Sequence, residues 1–426
     1  MRPTTRPTIR AGLRVMAISV IAGLTTFSVA VLPACTGAAS SPSTPTPNSA
    51  LLATLHDPAA TVGDYFGVSV AVSGTTAVIG AHGTKSHAGT AYIYVKGASG
   101  WPTTPTRTLQ DPAATADDYF GVSVAVSGTT AIIGAEGTKS NQGAAYIYVK
   151  GASGWPTKPT TTLSDPAATS GDYFGAPVVV SGKTAIIGAP NTKSHAGAAY
   201  IYVKGAFGWP TTPATTLSDP AATSGGYFGF SAAVSGQTAE QTAVIGAFGT
   251  SSSAGTAYIY VKGASGWPTT PTTALQDPAA TSSDCFGWSV AVSGKTAVVG
   301  ALSPPVCDEG DNHGATYIYV KGASGWPTKP TTTLSDPAAT SGDYFGEAVA
   351  VSGRTAFIGA QYKLNHGATY IYVKGASGWP TKPTTTLSDG AIGGVFGVSV
   401  AVSGTTAVLG AAATNSGAGA AYIYNA

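Results

Sequence analysis

Two series of carboxylates recur along the chain. Asp57, Asp111, Asp165, Asp219, Asp277 and Asp336 each precede Pro-Ala-Ala, and Asp389 precedes Gly. Asp64, Asp118, Asp172, Asp284 and Asp343 follow, with Gly226 and Gly394 at the corresponding places. Paired carboxylates do acid–base work when their surroundings push their pKa values apart. That needs one asymmetric constellation, and a pair repeated along the whole chain is not one. Its ordinary role is to accept backbone N–H bonds in a turn; calcium held by these turns together with carbonyls is the alternative. His87, His195, His313 and His366 each stand shortly before a Gly in separate repeats, and no two are spaced as H-x-x-H ligands. Gly97-Ala98-Ser99-Gly100 sits in a repeated hairpin rather than at a strand–helix elbow, and no Walker or Rossmann context occurs. The chain is expected not to be an enzyme and to carry no cofactor.

The elements that must position these residues form a repeat. Phe-Gly recurs at Phe66, Phe120, Phe174, Phe228, Phe286, Phe345 and Phe396, at spacings of 54, 54, 54, 58, 59 and 51. Within one copy, SVAVSG reads as a strand and tight turn, TAVIGA as a short apolar strand, and TAYIYVK as a strongly β-prone strand. After Trp101-Pro102, TRTLQD reads as a weaker outer strand, where the prolines are tolerated. Gly, Pro, Thr and β-branched residues recur too densely for a helix. The last copy stops after its third strand, and Leu51-Leu52-Ala53-Thr54-Leu55-His56 precedes the first Phe-Gly. The expected fold is therefore all-β: a closed seven-bladed β-propeller of four-stranded antiparallel blades, the last completed by the N-terminal strand. The repeated Phe, Trp and Tyr are expected to pack between sheets.

Composition agrees with such a body. Of 426 residues 9% are charged, and the formal net charge is +2. Arg2, Arg6, Arg10 and Arg14 precede the apolar run 15–32; the remainder has 17 basic and 19 acidic residues, which excludes a strongly basic nucleic-acid binder. The basic start, apolar run and following Ser/Thr/Pro tract read as an export signal over 1–34, a linker over 35–50 and a propeller over 51–426. Leu32-Pro33-Ala34-Cys35 resembles a lipobox, with Pro33 a departure, which implies lipidation of Cys35. A plainly secreted protein and a retained anchor are the alternatives.

With Phe-Gly and Gly188-Ala189-Pro190, and Gly-Ala at the matching places of the other copies, the module resembles the FG-GAP repeat of integrin α-chains and bacterial surface proteins. The resemblance implies a propeller and leaves function open. Some blades of that family carry an Asp-x-Asp-x-Asp-Gly calcium loop between the first two strands. Here that connection is Ser73-Gly74-Thr75, with no carboxylate, so calcium is not expected there.

Departures from the repeat point to function. Blade 5 has Cys285 in place of Tyr and a longer loop holding Cys307, an expected disulfide in an oxidising compartment, with an acidic tip of Asp308, Glu309, Asp311 and Asn312 before His313. Blade 4 carries Phe207, Phe230 and an insertion, and blade 6 has Tyr362, Lys363 and His366 in its loop. These loops are the expected partner-facing residues. The leading expectation is a monomeric binding or adhesion propeller, lipid-anchored at a bacterial envelope or else secreted, with an extracellular protein or glycan partner. A structural envelope protein and a glycan-active enzyme are the alternatives.

Overall fold

Strand Ser69–Ser73 turns through Gly74 and Thr75 into Thr76–Ala81, with Ser73 opposite Thr76. Gly74 supplies the positive φ (56°) that a two-residue hairpin needs. Thr76–Ala81 pairs with Thr90–Val95, which pairs with Arg107–Gln110, so blade 1 is a four-stranded antiparallel sheet. The computed structural model describes residues 50–425 apart from 114, 168, 222–223, 237–240, 279–283, 303–312 and 338–341. The described residues form seven such sheets. The seventh takes Leu51–His56 as its outer strand, paired antiparallel with Ala420–Asn425, as expected from the two chain ends.

The first strands of neighbouring blades pack side by side, and a ring of side-chain bonds joins them. Ser73 Oγ accepts the Gly128 N–H of blade 2 (3.1 Å), Ser127 that of Gly182 (3.0 Å), Ser235 that of Gly294 (2.9 Å), Ser293 that of Gly353 (3.1 Å) and Ser352 that of Gly404 (3.1 Å). Ser181 Oγ donates to Gly236 O (3.1 Å), and Ser403 Oγ accepts from Gly74 N (3.3 Å), closing blade 7 onto blade 1.

At the other end of the blades, each Phe-Gly lies against the preceding blade. Tyr119 N donates to His87 O (2.8 Å) and Phe120 N to Ala88 O (3.1 Å). The Phe ring fills the wedge. Phe120 is wholly buried among Val78, Ile93 and Leu109 of blade 1 and Tyr146, Tyr148 and Trp155 of its own blade. Tyr65, Tyr119, Tyr173, Tyr227, Cys285, Tyr344 and Val395, each just before Phe-Gly, all have φ between 49° and 58°. A side chain in that left-handed region is strained, and the bonds to the neighbouring blade hold it there.

The absence of helix expected from composition is corrected by single helical turns at Thr84–His87, Thr138–Asn141, Thr192–His195, Thr250–Ser253 and Thr414–Gly417, and a 3-10 turn at Lys363–Asn365. Tertiary bonds override propensity in these turns. Lys85, Ser86 and His87 are all left-handed (φ 53°, 56° and 63°), which aims the carbonyls of Ser86 and His87 at the N–H groups of Asp117 and Tyr119.

The close approach of Phe-Gly gives a sharp expectation. A Cβ on Gly143, at φ +87°, would lie 2.0 Å from Phe174 O, whereas one on Gly97 would meet nothing within 4 Å. In urea denaturation G143A loses about 3 kcal/mol or more, while G97A stays within about 0.5 kcal/mol of the parent.

Candidate functional site

Lys363, Glu347, His82 and the Phe230–Phe248–Trp288 cluster, departures from seven-fold symmetry, lie at the end of the blades that carries the carboxylate turns, while Gln241 of the blade 4 insertion lies at the other end. Asp57 Oδ1 accepts the Ala59 N–H (2.8 Å) and the Tyr92 hydroxyl (3.1 Å). The arrangement repeats at Asp111 with Ala113 and Tyr146, and at Asp389 with Ala391 and Tyr422. The first carboxylate thus closes its turn and ties it to the third strand, the structural role expected of it. Burial, and then Asp57, drive the Tyr92 hydroxyl far above its ordinary range, so it stays a donor.

The second carboxylate is buried beside the first. Burial and then the hydrogen bond and charge of Asp57 raise Asp64 to about 6; burial and then Asp165 raise Asp172 to about 7. Asp118 moves the same way, through burial and then Asp111. In blade 6 the pair is neutralised instead. Lys363 Nζ lies 2.7 Å from Asp343 Oδ2 and 3.3 Å from both carboxylate oxygens of Asp336. Lys363 is buried, so its expected place facing a partner is corrected: the pull of two desolvated carboxylates holds its ammonium inside.

Two positions per blade vary in kind. They are the residue after Phe-Gly and the residue after Gly-Ala, at the same blade end because Ser69 opposes Gly80. In blades 4 and 5 they hold Phe230, Phe248 and Trp288, mutually packed at ring centroid distances of 4.7, 4.9 and 5.1 Å. In blade 6 they hold Glu347 and Gln361. Glu347 Oε2 is buried and burial raises the carboxyl to about 8, against a smaller lowering by Gln361. In blade 1 His82 is buried and stacked on Tyr65 (5.3 Å); burial, then His87, lowers it to about 3, so it is neutral.

The expected partner-facing residues divide. Asp308, Glu309, Asp311 and Asn312 lie outside the described residues, as do Cys307 and Cys35. Cys285 is described, wholly buried and not a free thiol. His313 and His366 are half-buried and give their carbonyls to Phe345 N (3.2 Å) and Phe396 N (3.0 Å). Tyr362 is half-buried and packs edge-on against Tyr344 at 5.1 Å. His87 Nδ1 lies 3.4 Å from Asp117 Oδ1 across the blade 1–2 boundary, with both side chains well exposed.

What the residue types did not reveal is the exposed apolar surface at this end. Leu364 is 65%, Ile392 86% and Val62 70% exposed, on blades 6, 7 and 1 in succession. The segments of the first two are joined by Gly393 N donating to Asn365 O at 2.6 Å. Aligning the seven copies signals them, since Leu364 and Ile392 both stand in irregular loops. Glu347 has the same signal, being the one acid after a Phe-Gly. Among the described residues no group of three or more His, Cys, Asp or Glu converges as a metal cluster, and no helix is long and apolar enough to cross a membrane.

Comparison with known proteins matches a model of the FG-GAP repeat over residues 51–94, 106–148, 160–202, 273–319, 331–372 and 379–424. No curated protein sequence matches. Among solved structures, the chain is similar to a candidate 6-phosphogluconolactonase from Bacteroides uniformis ATCC 8492, at 12% identity and TM-score 0.52, over 80% of this chain and 90% of that one. It is also similar to the β-propeller domain of the Trilobed protease from Pyrococcus furiosus, at 9% identity and TM-score 0.44, over the same shares. At such identity the first likeness concerns the fold alone.

The buried acid of blade 6 makes a measurable prediction. Its folded pKa of about 8 lies above the ordinary 4.5, so stability is undiminished below pH 4.5 and falls as pH rises toward 8. E347Q therefore gains stability over the parent at pH 8, by a few kcal/mol at most, and little at pH 4.5. Thermal denaturation across that window reads the difference.

Proposed function

The chain belongs to the FG-GAP repeat family, and on that premise we propose that it is an exported, non-enzymatic binding propeller whose turn-bearing end engages a protein partner outside the cell. The observation that carries this reading is the succession of exposed Leu364, Ile392 and Val62 across blades 6, 7 and 1. Single exposed apolar residues need no explanation; three on consecutive blades at one end supply the apolar centre that a binding surface requires. Their aliphatic character favours a protein over a glycan. Sugar rings stack on open aromatic faces, and in blades 4 and 5 the aromatic rings are occupied with one another.

A carboxylate pair repeated from blade to blade is not one asymmetric acid–base constellation, which supports a binding role. Glu347 is one asymmetric acid whose described neighbours are Gln361, Tyr344 and Tyr362, a set without the second carboxylate of a glycosidase. On this reading Cys35 carries the lipid, residues 35–50 are the tether, and the propeller acts as a monomer on the outer side of the envelope.

Two measurements check it. Capture of envelope proteins by the intact chain falls at least tenfold for L364D/I392S, with an unchanged melting temperature, whereas F207S, in the outer hairpin of blade 3 rather than the blade 4 expected from sequence, leaves capture intact. Equal capture by L364D/I392S overturns the choice of surface. Mass spectrometry of the native N-terminus finds acylated Cys35; an unmodified start at another residue overturns the anchor.

A further inference from the structure

Blade 6 differs from the other blades in the residue behind its carboxylate pair. The third residue after Gly-Ala is Thr84, Thr138, Thr192, Thr250 and Thr414 in blades 1, 2, 3, 4 and 7, and Lys363 in blade 6, all of them buried. Blade 7, with Gly394 in place of the second Asp, fixes the geometry: a Cβ on Gly394 would lie 3.0 Å from Thr414 Oγ1. The hydroxyl therefore faces the place of the second carboxylate, where Lys363 puts its ammonium in blade 6.

In blade 3 that place is lined by oxygens without partners. Asp165 Oδ2, Asp172 Oδ2 and Thr192 Oγ1 are all buried and accept or donate no hydrogen bond, and the three residues are only 5%, 3% and 2% exposed. Asp57 Oδ2 in blade 1 and Asp111 Oδ2 in blade 2 are likewise buried and unpartnered. Two desolvated carboxylates side by side need a shared proton or a cation between them, and in blade 6 these same two positions hold a cation.

We propose that the carboxylate pairs Asp57/Asp64, Asp111/Asp118 and Asp165/Asp172 are binding sites for a hard divalent cation, Ca2+, and that Lys363 is the built-in cation that occupies the corresponding place in blade 6. The donors are all oxygen, with no imidazole or thiolate, which suits Ca2+ and not a transition metal. Two carboxylates and a hydroxyl leave the rest of the shell to backbone carbonyls and water, a weak site of the extracellular kind, with a Kd of about 0.1–1 mM. These turns are not the hairpins between first and second strands, which bear no carboxylate, and the proposal stands independently of the partner surface. Blades 4 and 7, with Gly226 and Gly394 in place of the second Asp, are internal controls without a site.

The test is calorimetric titration of CaCl2 into the chelator-treated intact chain at neutral pH, with melting temperatures measured alongside. The parent binds Ca2+ and melts higher with it. D172N binds one ion fewer. T192K, which places an ammonium where blade 6 has one, also binds one ion fewer and folds whether or not Ca2+ is present, so it stands in if D172N fails to fold. K363T binds one ion more. No heat and no shift in melting temperature at about 10 mM CaCl2, roughly ten times the upper Kd, overturn the proposal. So does a stoichiometry that neither D172N nor T192K lowers, since the ions would then be on the surface.

Discussion

The ring depends on one close approach of backbone to backbone. The Gly that ends each loop between second and third strands lies against the Phe-Gly of the next blade so tightly that there is no room for a methyl group: at Gly89, Gly143 and Gly197 a Cβ would come within 2.1 Å of a Phe carbonyl oxygen. Because the two chains meet without side chains between them, the Phe ring beside them can reach into the wedge and bury itself completely. The strained left-handed residue before each Phe-Gly is sustained by the same contact. Packing, strain and hydrogen bonding between blades are thus three aspects of a single steric condition.

Around that fixed frame, the distinction between repeated and unrepeated residues separates architecture from chemistry. Oδ1 of the first Asp bonds a backbone N–H or a Tyr hydroxyl in blade after blade, and that work is structural. Lys363, Glu347, His82 and the Phe230–Phe248–Trp288 cluster each occur in one place, and each alters charge or shape at the same end of the ring. The propeller supplies seven equivalent positions, and substitution at individual positions makes the end asymmetric without disturbing the packing below it.

Much of the fold was legible because its determinants are local and repeated. The alternation in SVAVS, the Ser-Gly turns and the missing last strand each point to the observed topology. The single helical turns were not legible: Thr-Lys-Ser-His has no helical preference, and its left-handed backbone is imposed by the neighbouring blade's N–H groups. The site was read only in part. Lys363 looks like a solvated loop residue until one knows that its blade folds Asp336 and Asp343 against it, residues 27 and 20 positions earlier in the chain. Exposure at Ile392 is equally a product of assembly, since an apolar residue in a loop carries no sign of which way it will face.

The exchange of strands that completes blade 7 also constrains how the chain is made. Leu51–His56 leaves the ribosome more than 360 residues ahead of its partner, Ala420–Asn425. Throughout synthesis the early strand has no sheet to join, and the growing array has an open flank whose unsatisfied backbone groups invite pairing with another chain. Completion waits until Ala420–Asn425 has been made, and contacts so distant in sequence form slowly. Anything that keeps the nascent polypeptide unfolded until it is whole, whether a chaperone or transport through a narrow pore, removes that hazard.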